Sequence, residues 1–329
     1  MQTTLNRLIT QETLTEQEAY DLFIGINEDR FSDAEITGLM VALQTRNITL
    51  DEIAGFKKAL IELSIKPDLS PTNAIDLCGT GGDGKNTFNI STTTSFVLGA
   101  MGYKVIKHGN YGVSSMCGSS NVLEELGYRF SNDSAVLTKS LNDFNLVFLH
   151  APLFHPVMKK VAPIRKSLGI PTFFNIMGPL VNPVQPDFQL TGTFNLSVAR
   201  MYHNVLKACR KNYKVVFTMD GYDEISLTGD TRIFAPENDE LFHPSQMGLQ
   251  QLMQQQLHGG NSPLESAQIM QSILAGKGTD EQRMVVASNT AHAIQVMNSE
   301  TVLVEAYQRV NEFLKSGKGV EYLTDFVNQ

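Results

Sequence analysis

Beyond residue 73 the chain changes rhythm. Short apolar runs at 74–78, 103–107, 146–150, 188–192 and 214–219 alternate with stretches of helical periodicity near 91–101, 119–126, 157–168 and 197–210. Runs this short, and continuously apolar, suit strands covered on both faces. Strand, helix and strand repeated in this way imply parallel pairing, right-handed crossovers and helices on both sides of the sheet. After Gly259 the pattern is mostly helical. The first 65 residues differ, because three capping boxes, Thr15 with Glu18, Ser32 with Glu35 and Thr49 with Glu52, mark successive helix starts. The spacings Ile36, Leu39, Met40, Leu43 and Ile53, Phe56, Leu60, Leu63 then give each helix one apolar face. The stretch "KPDLSPTN", 66–73, reads as a linker. The expected fold is α/β, with a small N-terminal helical domain over 1–70 and a large α/β domain over 71–329 built on a mostly parallel central sheet.

Composition narrows the function. A chain of 329 residues with 42% apolar and 18% charged content is that of a globular protein. No run reaches the length of a membrane span, and the N-terminus shows neither a basic nor an apolar targeting region, so a cytoplasmic protein with no membrane partner is expected. Cys78, Cys117 and Cys209 are odd in number and lack metal-ligand spacing, which fits a reducing compartment. A formal charge of −8 argues against general attraction to nucleic acid. Any anion site has to be local.

One local site stands out in "DLCGTGGDGKNTFNIS", 76–91, where Gly79, Gly81, Gly82 and Gly84 follow a predicted strand. Gly79, Gly81 and Gly84 match G-x-G-x-x-G, but the helix waits until about Ser91, and Lys107 and His108 occupy the end of the second strand where a ribose-binding acid belongs. Gly79, Gly84 and Lys85 match the phosphate-binding G-x-x-x-x-G-K, but Asn86 stands where a hydroxyl should ligate Mg²⁺. A plain turn needs one or two glycines, whereas four in six residues maximise the ordering cost. Such a loop lets backbone N–H groups close on something anionic beside a helix N-terminus. Thr87, Asn89, Ser91 and Thr92 can cap that helix and donate to phosphate oxygens, so a phosphorylated ligand is expected.

The next strand-to-helix junction, "KHGNYGVSSMCGSSNVLEELG" at 107–127, carries a cation, a histidine, an asparagine and four serines. Two neighbouring strand ends with phosphate-type chemistry would meet at the carboxyl edge of a parallel sheet. At this point the chain resembles the anthranilate phosphoribosyltransferase family of tryptophan biosynthesis. The resemblance runs through "GTGGD" at 79–83, "NTFNIST" at 86–92, "KHGN" at 107–110, "GSSNVLEELG", "HPVMKKVAPIRKSLGIPTFFNIMGPLVNP" at 155–183 and "DGYDEIS" at 220–226. It implies a homodimeric glycosyltransferase whose helical domain is completed by helices from about 155–185. Its substrates would be 5-phosphoribosyl 1-diphosphate and anthranilate, bound with Mg²⁺ in a cleft between the domains. By the same resemblance, Gly79, Gly82, Asp83, Thr87, Asn89, Ile90, Ser91, Thr92, Lys107, His108, Gly109, Asn110, Ser114, Ser115 and Ser119 would hold the phosphoribosyl donor. Gly79, Asn110 and Arg165 would bind anthranilate, His108, His155 and Pro179 would line its approach, and Ser91, Asp223 and Glu224 would hold Mg²⁺. No residue is assigned as a catalytic acid or base.

The residues support these roles unequally. Asp223 and Glu224 follow an apolar strand and suit a hard cation shared with phosphates, although adjacent acids alone read as a solvated turn. Arg165 matches a carboxylate by its guanidinium fork, although alone it reads as a surface cation. The chain departs from the family where Tyr111 and Met116 replace cations and Cys117 a serine; Cys117 reads as a small packing residue. Two rival functions share the architecture. A pyrimidine nucleoside phosphorylase is disfavoured by the intact "GTGGD", the acid pair and Arg165. A non-catalytic nucleic-acid-binding relative is disfavoured by the acidic charge and the retained acids.

Overall fold

The computed structural model describes residues 1–69, 73–112, 117–170, 172–209 and 211–329. The chain divides into two compact units, Met1–Lys66 with Ala151–Pro183, and Pro67–His150 with Val184–Gln329.

The first unit is helical: Gln2–Ile9, Glu16–Asn27, Asp33–Gln44 and Leu50–Glu62, joined later by Ala151–Phe154 and Pro156–Leu168. All three expected capping boxes form, with the cap hydroxyl accepting from the third-residue N–H and the glutamate accepting from the cap's own N–H. The apolar faces turn inward around a cluster of rings, with Phe23 tilted against Phe56 at 5.1 Å, and Phe173 stacked on Phe56 at 4.9 Å and on Phe174 at 4.3 Å between centroids. Glu52 does more than cap. It is buried, pairs with buried Arg46, and accepts the Leu14 N–H at 2.9 Å. Burial alone would push its carboxyl up, but Arg46 and the Thr49 and Leu14 N–H groups outweigh that and hold it below the usual carboxylate value.

The second unit is built on a seven-stranded sheet in the order β3-β2-β1-β4-β5-β6-β7. The strands are β1 (Ile75–Leu77), β2 (Val105–Gly109), β3 (Leu146–His150), β4 (Phe188–Gly192), β5 (Asn212–Thr218), β6 (Thr231–Phe234) and β7 (Asp239–Phe242). The first five pair in parallel and the last two antiparallel. All five expected strands form, and the β6–β7 hairpin adds two that the apolar runs do not announce. β2 lies two residues later than expected, so Lys107, His108 and Gly109 belong to the strand and are buried within it. A further helix, Ser134–Phe144, is capped by Asp133 accepting the Ala135 N–H. Of the expected linker, residues 70–72 lie outside the described set, while Leu69 is buried and Asp68 N–H donates to Ser134.

The strand order reverses between β1 and β4, because the chain steps outward from β1 to β3 and then returns to β4 on the other side. In open α/β sheets this reversal opens a crevice outside the carboxyl ends of the two strands. Helix Asp280–Met297 packs against β4, β5 and helix Ile90–Ala100, and it is buried almost continuously from Val285 to Ile294. Its polar members bond to backbone, Ser288 to the Met284 carbonyl and Thr290 to the Val286 carbonyl.

Candidate functional site

The glycine loop leaves β1 directly into the crevice at the β1–β4 reversal. Gly81, Gly82 and Gly84 have φ of +61°, +80° and +68°, the left-handed region that side chains disfavour. Gly79 is needed for a different reason, since a Cβ there would lie 2.5 Å from Asp223 Oδ2. The loop is fixed at two points: Thr80 N–H donates to the β4 Gly192 carbonyl at 2.9 Å, and Gly81 N–H donates to Asp223 Oδ2 at 2.7 Å. Farther along, Phe88 N–H donates to the Leu257 carbonyl and Gly259 N–H to the Asn86 carbonyl, with Thr87 bridged to His258. Asn86 adds a bond to the Gly260 carbonyl at 2.7 Å. Positions 86–88 are thereby clasped by a segment about 170 residues away in sequence, which no local pattern announces.

Three carboxylates meet at the loop. Asp223 follows β5 by a tight turn, and its backbone carbonyl passes so close to Gly192 that a Cβ there would fall 1.5 Å from the oxygen. Burial and the nearby Asp83 push the Asp223 carboxyl up to about 7, and burial and Asp223 push Glu224 up to about 8. Burial likewise raises Asp83; its Oδ1 accepts Lys85 N–H at 3.0 Å, while its buried Oδ2 meets no hydrogen-bond donor. Glu224 accepts the Ser91 N–H at the start of helix Ile90–Ala100, and the Thr218 hydroxyl donates to the Glu224 carbonyl at 2.6 Å. Leu227, buried with φ of +61°, marks strain in the same turn.

Mutually repelling buried carboxylates and an undonated oxygen are the chemistry of a site for a hard divalent cation. Among the described residues, no three His, Cys, Asp or Glu side chains could hold a metal by themselves. Asp223 and Glu224 supply the one or two carboxylates that Mg²⁺ takes, the rest of its octahedron being water and substrate phosphate. The residues present therefore fit the ion.

Lys107 is 2% exposed, and its ammonium donates to the last β1 carbonyl, Leu77, and to Ser91 Oγ at 3.3 Å. It thus ties β1, β2 and the helix start together from inside. His108 N–H donates to Asp76 Oδ1 at 3.1 Å, and its ring is buried. Gly109 is forced to be glycine, since a Cβ would lie 2.4 Å from Ser119 Oγ and from the Phe148 ring. Asn110 is exposed at the strand end, and its carbonyl accepts from Ser120 N–H and Ser119 Oγ.

Some expected details change. Asn89 stands at the N-cap of helix Ile90–Ala100 but does not cap it; its amide donates instead to the Cys117 carbonyl at 3.1 Å. Ile90 and Thr92 are buried, so neither side chain faces solvent, and Ile90 belongs to the apolar core. Ser114, Ser115 and Met116 lie outside the described residues. Cys117 is buried with its thiol pushed up by burial, in keeping with a packing role. Tyr111 packs edge-on to His150 at 4.9 Å.

Arg165, His155 and Pro179 all belong to the helical unit. Arg165 on helix Pro156–Leu168 donates to Asn175 Oδ1 at 3.1 Å and lies 5.2 Å from the Phe174 ring centroid, and its partial burial lowers its pKa. Pro179 is buried, and His155, 2% exposed, sits beside the backbone of Val181 and Leu60. Burial pushes the His155 imidazole down to about 4, so it is neutral at physiological pH.

Residues 71–320 match the glycosyl transferase family, a/b domain, and residues 2–64 match the glycosyl transferase family, helical bundle domain. The chain is 49% identical to the anthranilate phosphoribosyltransferase of Flavobacterium psychrophilum over 98% of both chains. It is 47% identical to that of Christiangramia forsetii, over 98% of this chain and 97% of the relative. Its fold superposes on the Thermus thermophilus anthranilate phosphoribosyltransferase with a TM-score of 0.89 at 31% identity, covering 98% of each. The Saccharomyces cerevisiae enzyme in complex with 5-phosphoribosyl 1-diphosphate and Mg gives 0.89 at 27%, covering 98% of this chain and 96% of that one. With a fixed glycine loop, a carboxylate cluster at the sheet's reversal point and likeness over almost its full length, the chain belongs to the anthranilate phosphoribosyltransferase family of glycosyl transferases.

Proposed function

We propose that this chain transfers the phosphoribosyl group of 5-phosphoribosyl 1-diphosphate to the amino group of anthranilate, releasing diphosphate, a step of tryptophan biosynthesis. The observation that carries the reading is the bond from Gly81 N–H to Asp223 Oδ2, which joins the glycine loop to the acid pair in one rigid edge. Around that edge, Gly79, Gly82, Asp83, Thr87, Asn89, Ser91, Lys107, Asn110 and Ser119 supply the groups for the donor. Ile90, Thr92, His108 and Gly109, buried at the same edge, are included with them on the resemblance. Ser114 and Ser115 are included on the resemblance alone.

Asp223, Glu224 and Ser91 would hold Mg²⁺, and when bound the ion would offset the negative charge that grows on the departing diphosphate. Loop N–H groups other than those of Thr80, Gly81 and Lys85, which are bonded within the protein, would act in the same direction as donors oriented before reaction begins. Arg165 supplies a fork for the anthranilate carboxylate, with His155 and Pro179 shaping the helical unit around it. The aromatic amine is neutral at pH 7 and needs no strong base to attack, so alignment of the two substrates is the protein's main task. We further assign a homodimer to the assembly and the cytoplasm to its location. Among the described residues no helix is long and apolar enough to cross a membrane.

Loss of anthranilate fluorescence on mixing with the donor and Mg²⁺ tests the reading. Turnover is expected. Phosphorolysis of thymidine with no consumption of anthranilate would overturn it in favour of a nucleoside phosphorylase.

A further inference from the structure

Asn289 lies in the middle of the buried helix Asp280–Met297 and is 1% exposed. Its Oδ1 accepts the Ile225 N–H at 3.2 Å and its Nδ2 donates to the Ile225 carbonyl at 2.9 Å. The second amide hydrogen goes to the Val285 carbonyl of its own helix, also at 2.9 Å. The side chain therefore pairs with both polar backbone groups of one residue, the way a neighbouring strand would. That residue immediately follows Asp223 and Glu224. A buried amide is costly unless its bonds are made, and here all of them are; an apolar side chain in its place would leave the Ile225 N–H and carbonyl without these bonds. What the amide adds is orientation.

Ile225 cannot be held by the sheet, because β5 has ended at Thr218 and β6 does not begin until Thr231. Asn289 substitutes for the missing partner strand. Asn289 and Glu224, with Ser91 and Thr94, line the same narrow crevice of about 10 Å³. With the Thr218 hydroxyl on the Glu224 carbonyl and Asn289 on the Ile225 N–H, the peptide that follows Glu224 is held at both of its polar groups, and the Glu224 carboxylate accepts the Ser91 N–H.

We propose that Asn289 is a positioning residue for the Asp223–Glu224 pair, setting through the Ile225 backbone the geometry with which the pair receives a divalent cation. The inference rests on the reading of that pair as the Mg²⁺ site. Residues that orient metal ligands typically change metal affinity by about 10- to 100-fold when removed. Mn²⁺ is the probe, titrated by electron paramagnetic resonance in the presence of 5-phosphoribosyl 1-diphosphate and well below the unfolding temperature. Asn289→Asp keeps the acceptor for Ile225 N–H and loses both donor bonds; Asn289→Ser removes the pairing altogether. Both are expected to raise the Mn²⁺ dissociation constant at least about tenfold, while the anthranilate KM stays within about twofold of wild type, because ground-state binding of that substrate is untouched. A role in packing alone would lower the melting temperature and leave the metal affinity of the folded protein unaltered. The wild-type protein offers a check independent of folding: hydrogen exchange at the Ile225 amide is expected to be slow without any cation.

Wild-type Mn²⁺ affinity in the folded Asn289 variants, with binding lost in Asp223→Asn/Glu224→Gln, would overturn the inference and leave the metal site standing. Fast exchange at Ile225 in the cation-free protein would also overturn it. Unchanged Mn²⁺ binding in Asp223→Asn/Glu224→Gln would remove the underlying reading, and the inference with it.

Discussion

Replacing Gly192 by alanine separates stability from function more sharply than any change to a charged group. Its φ does not lie in the left-handed region, so an alanine backbone fits without strain. The added Cβ, however, falls 1.5 Å from the Asp223 carbonyl oxygen and 2.4 Å from its carbon. Non-bonded heavy atoms settle at about 3.5 Å, so roughly 2 Å of separation has to be created. β4 cannot give way easily, since it pairs with β1 on one side and β5 on the other. The turn carrying Asp223 moves instead, and the 2.7 Å bond from Gly81 N–H to Asp223 Oδ2 is lost with it. A misplacement of about 1 Å costs about 100-fold in rate. Gly192→Ala is therefore expected to lower kcat/KM at least about 100-fold, equivalent to about 2.7 kcal/mol of transition-state stabilisation. Overpacking of this kind costs about 1–3 kcal/mol of stability, which leaves the protein folded at assay temperature. Gly248→Ala is the control, because φ is +70° there and a Cβ meets open space; it is expected to cost about 1–2 kcal/mol of stability with turnover retained. The assay is steady-state anthranilate fluorescence alongside thermal unfolding. A Gly192→Ala enzyme within about fivefold of wild type, when a 1 Å shift should cost about 100-fold, would refute the argument that this close approach sets the acid pair.

Other outcomes follow from the same geometry. Glu52→Ala leaves buried Arg46 without its partner and two N–H groups without an acceptor, and urea unfolding at pH 7 is expected to show a loss of about 3–5 kcal/mol. Because folding lowers the Glu52 pKa, the wild-type contribution is complete above the ordinary glutamate value of about 4.3 and fades as pH falls below it. The difference between wild type and Glu52→Gln should therefore shrink on acidification; a difference that grows below pH of about 4 would contradict the assignment. Arg165→Ala is expected to raise the anthranilate KM by about 10- to 100-fold, the worth of a charged hydrogen-bond partner of about 1.5–3 kcal/mol, with a smaller change in the donor KM. Equal changes in both would remove the assigned specificity.

The parts of the fold legible in sequence are those whose signal is local. Buried parallel strands such as Leu146–His150 and Phe188–Gly192 read as unbroken apolar runs, and the capping boxes at Thr15, Ser32 and Thr49 announce their helices within four residues. β7, with the sequence Asp239-Glu240-Leu241-Phe242, is mostly exposed at the sheet edge and carries the charge expected of an edge, so it reads as a loop. Helix Ser134–Phe144 does not confine its apolar residues to one face, since Val136 is exposed while Leu137 and Leu141 are buried, although Asp133 at its cap was a usable sign.

The candidate site divides in the same way. Glycines at 81, 82 and 84 signal themselves because φ is a local property, whereas Gly79 and Gly192 are required by Asp223, which is distant along the chain. Asn89 looked like a cap and serves a different loop, since tertiary contact competes with the local bond. Asn289 carried no signal at all: an asparagine within an apolar helix acquires meaning only when the Ile225 peptide is seen beside it.

Calorimetry of 5-phosphoribosyl 1-diphosphate binding tests the central claim most directly, with wild type compared with Asp223→Asn/Glu224→Gln at saturating Mg²⁺. The wild-type protein is expected to bind with measurable heat, and the double variant to bind at least about tenfold more weakly, as loss of cation ligands implies. Absence of heat from the wild-type protein, or equal affinity in the two, would contradict a glycine loop and acid pair built to receive that sugar diphosphate.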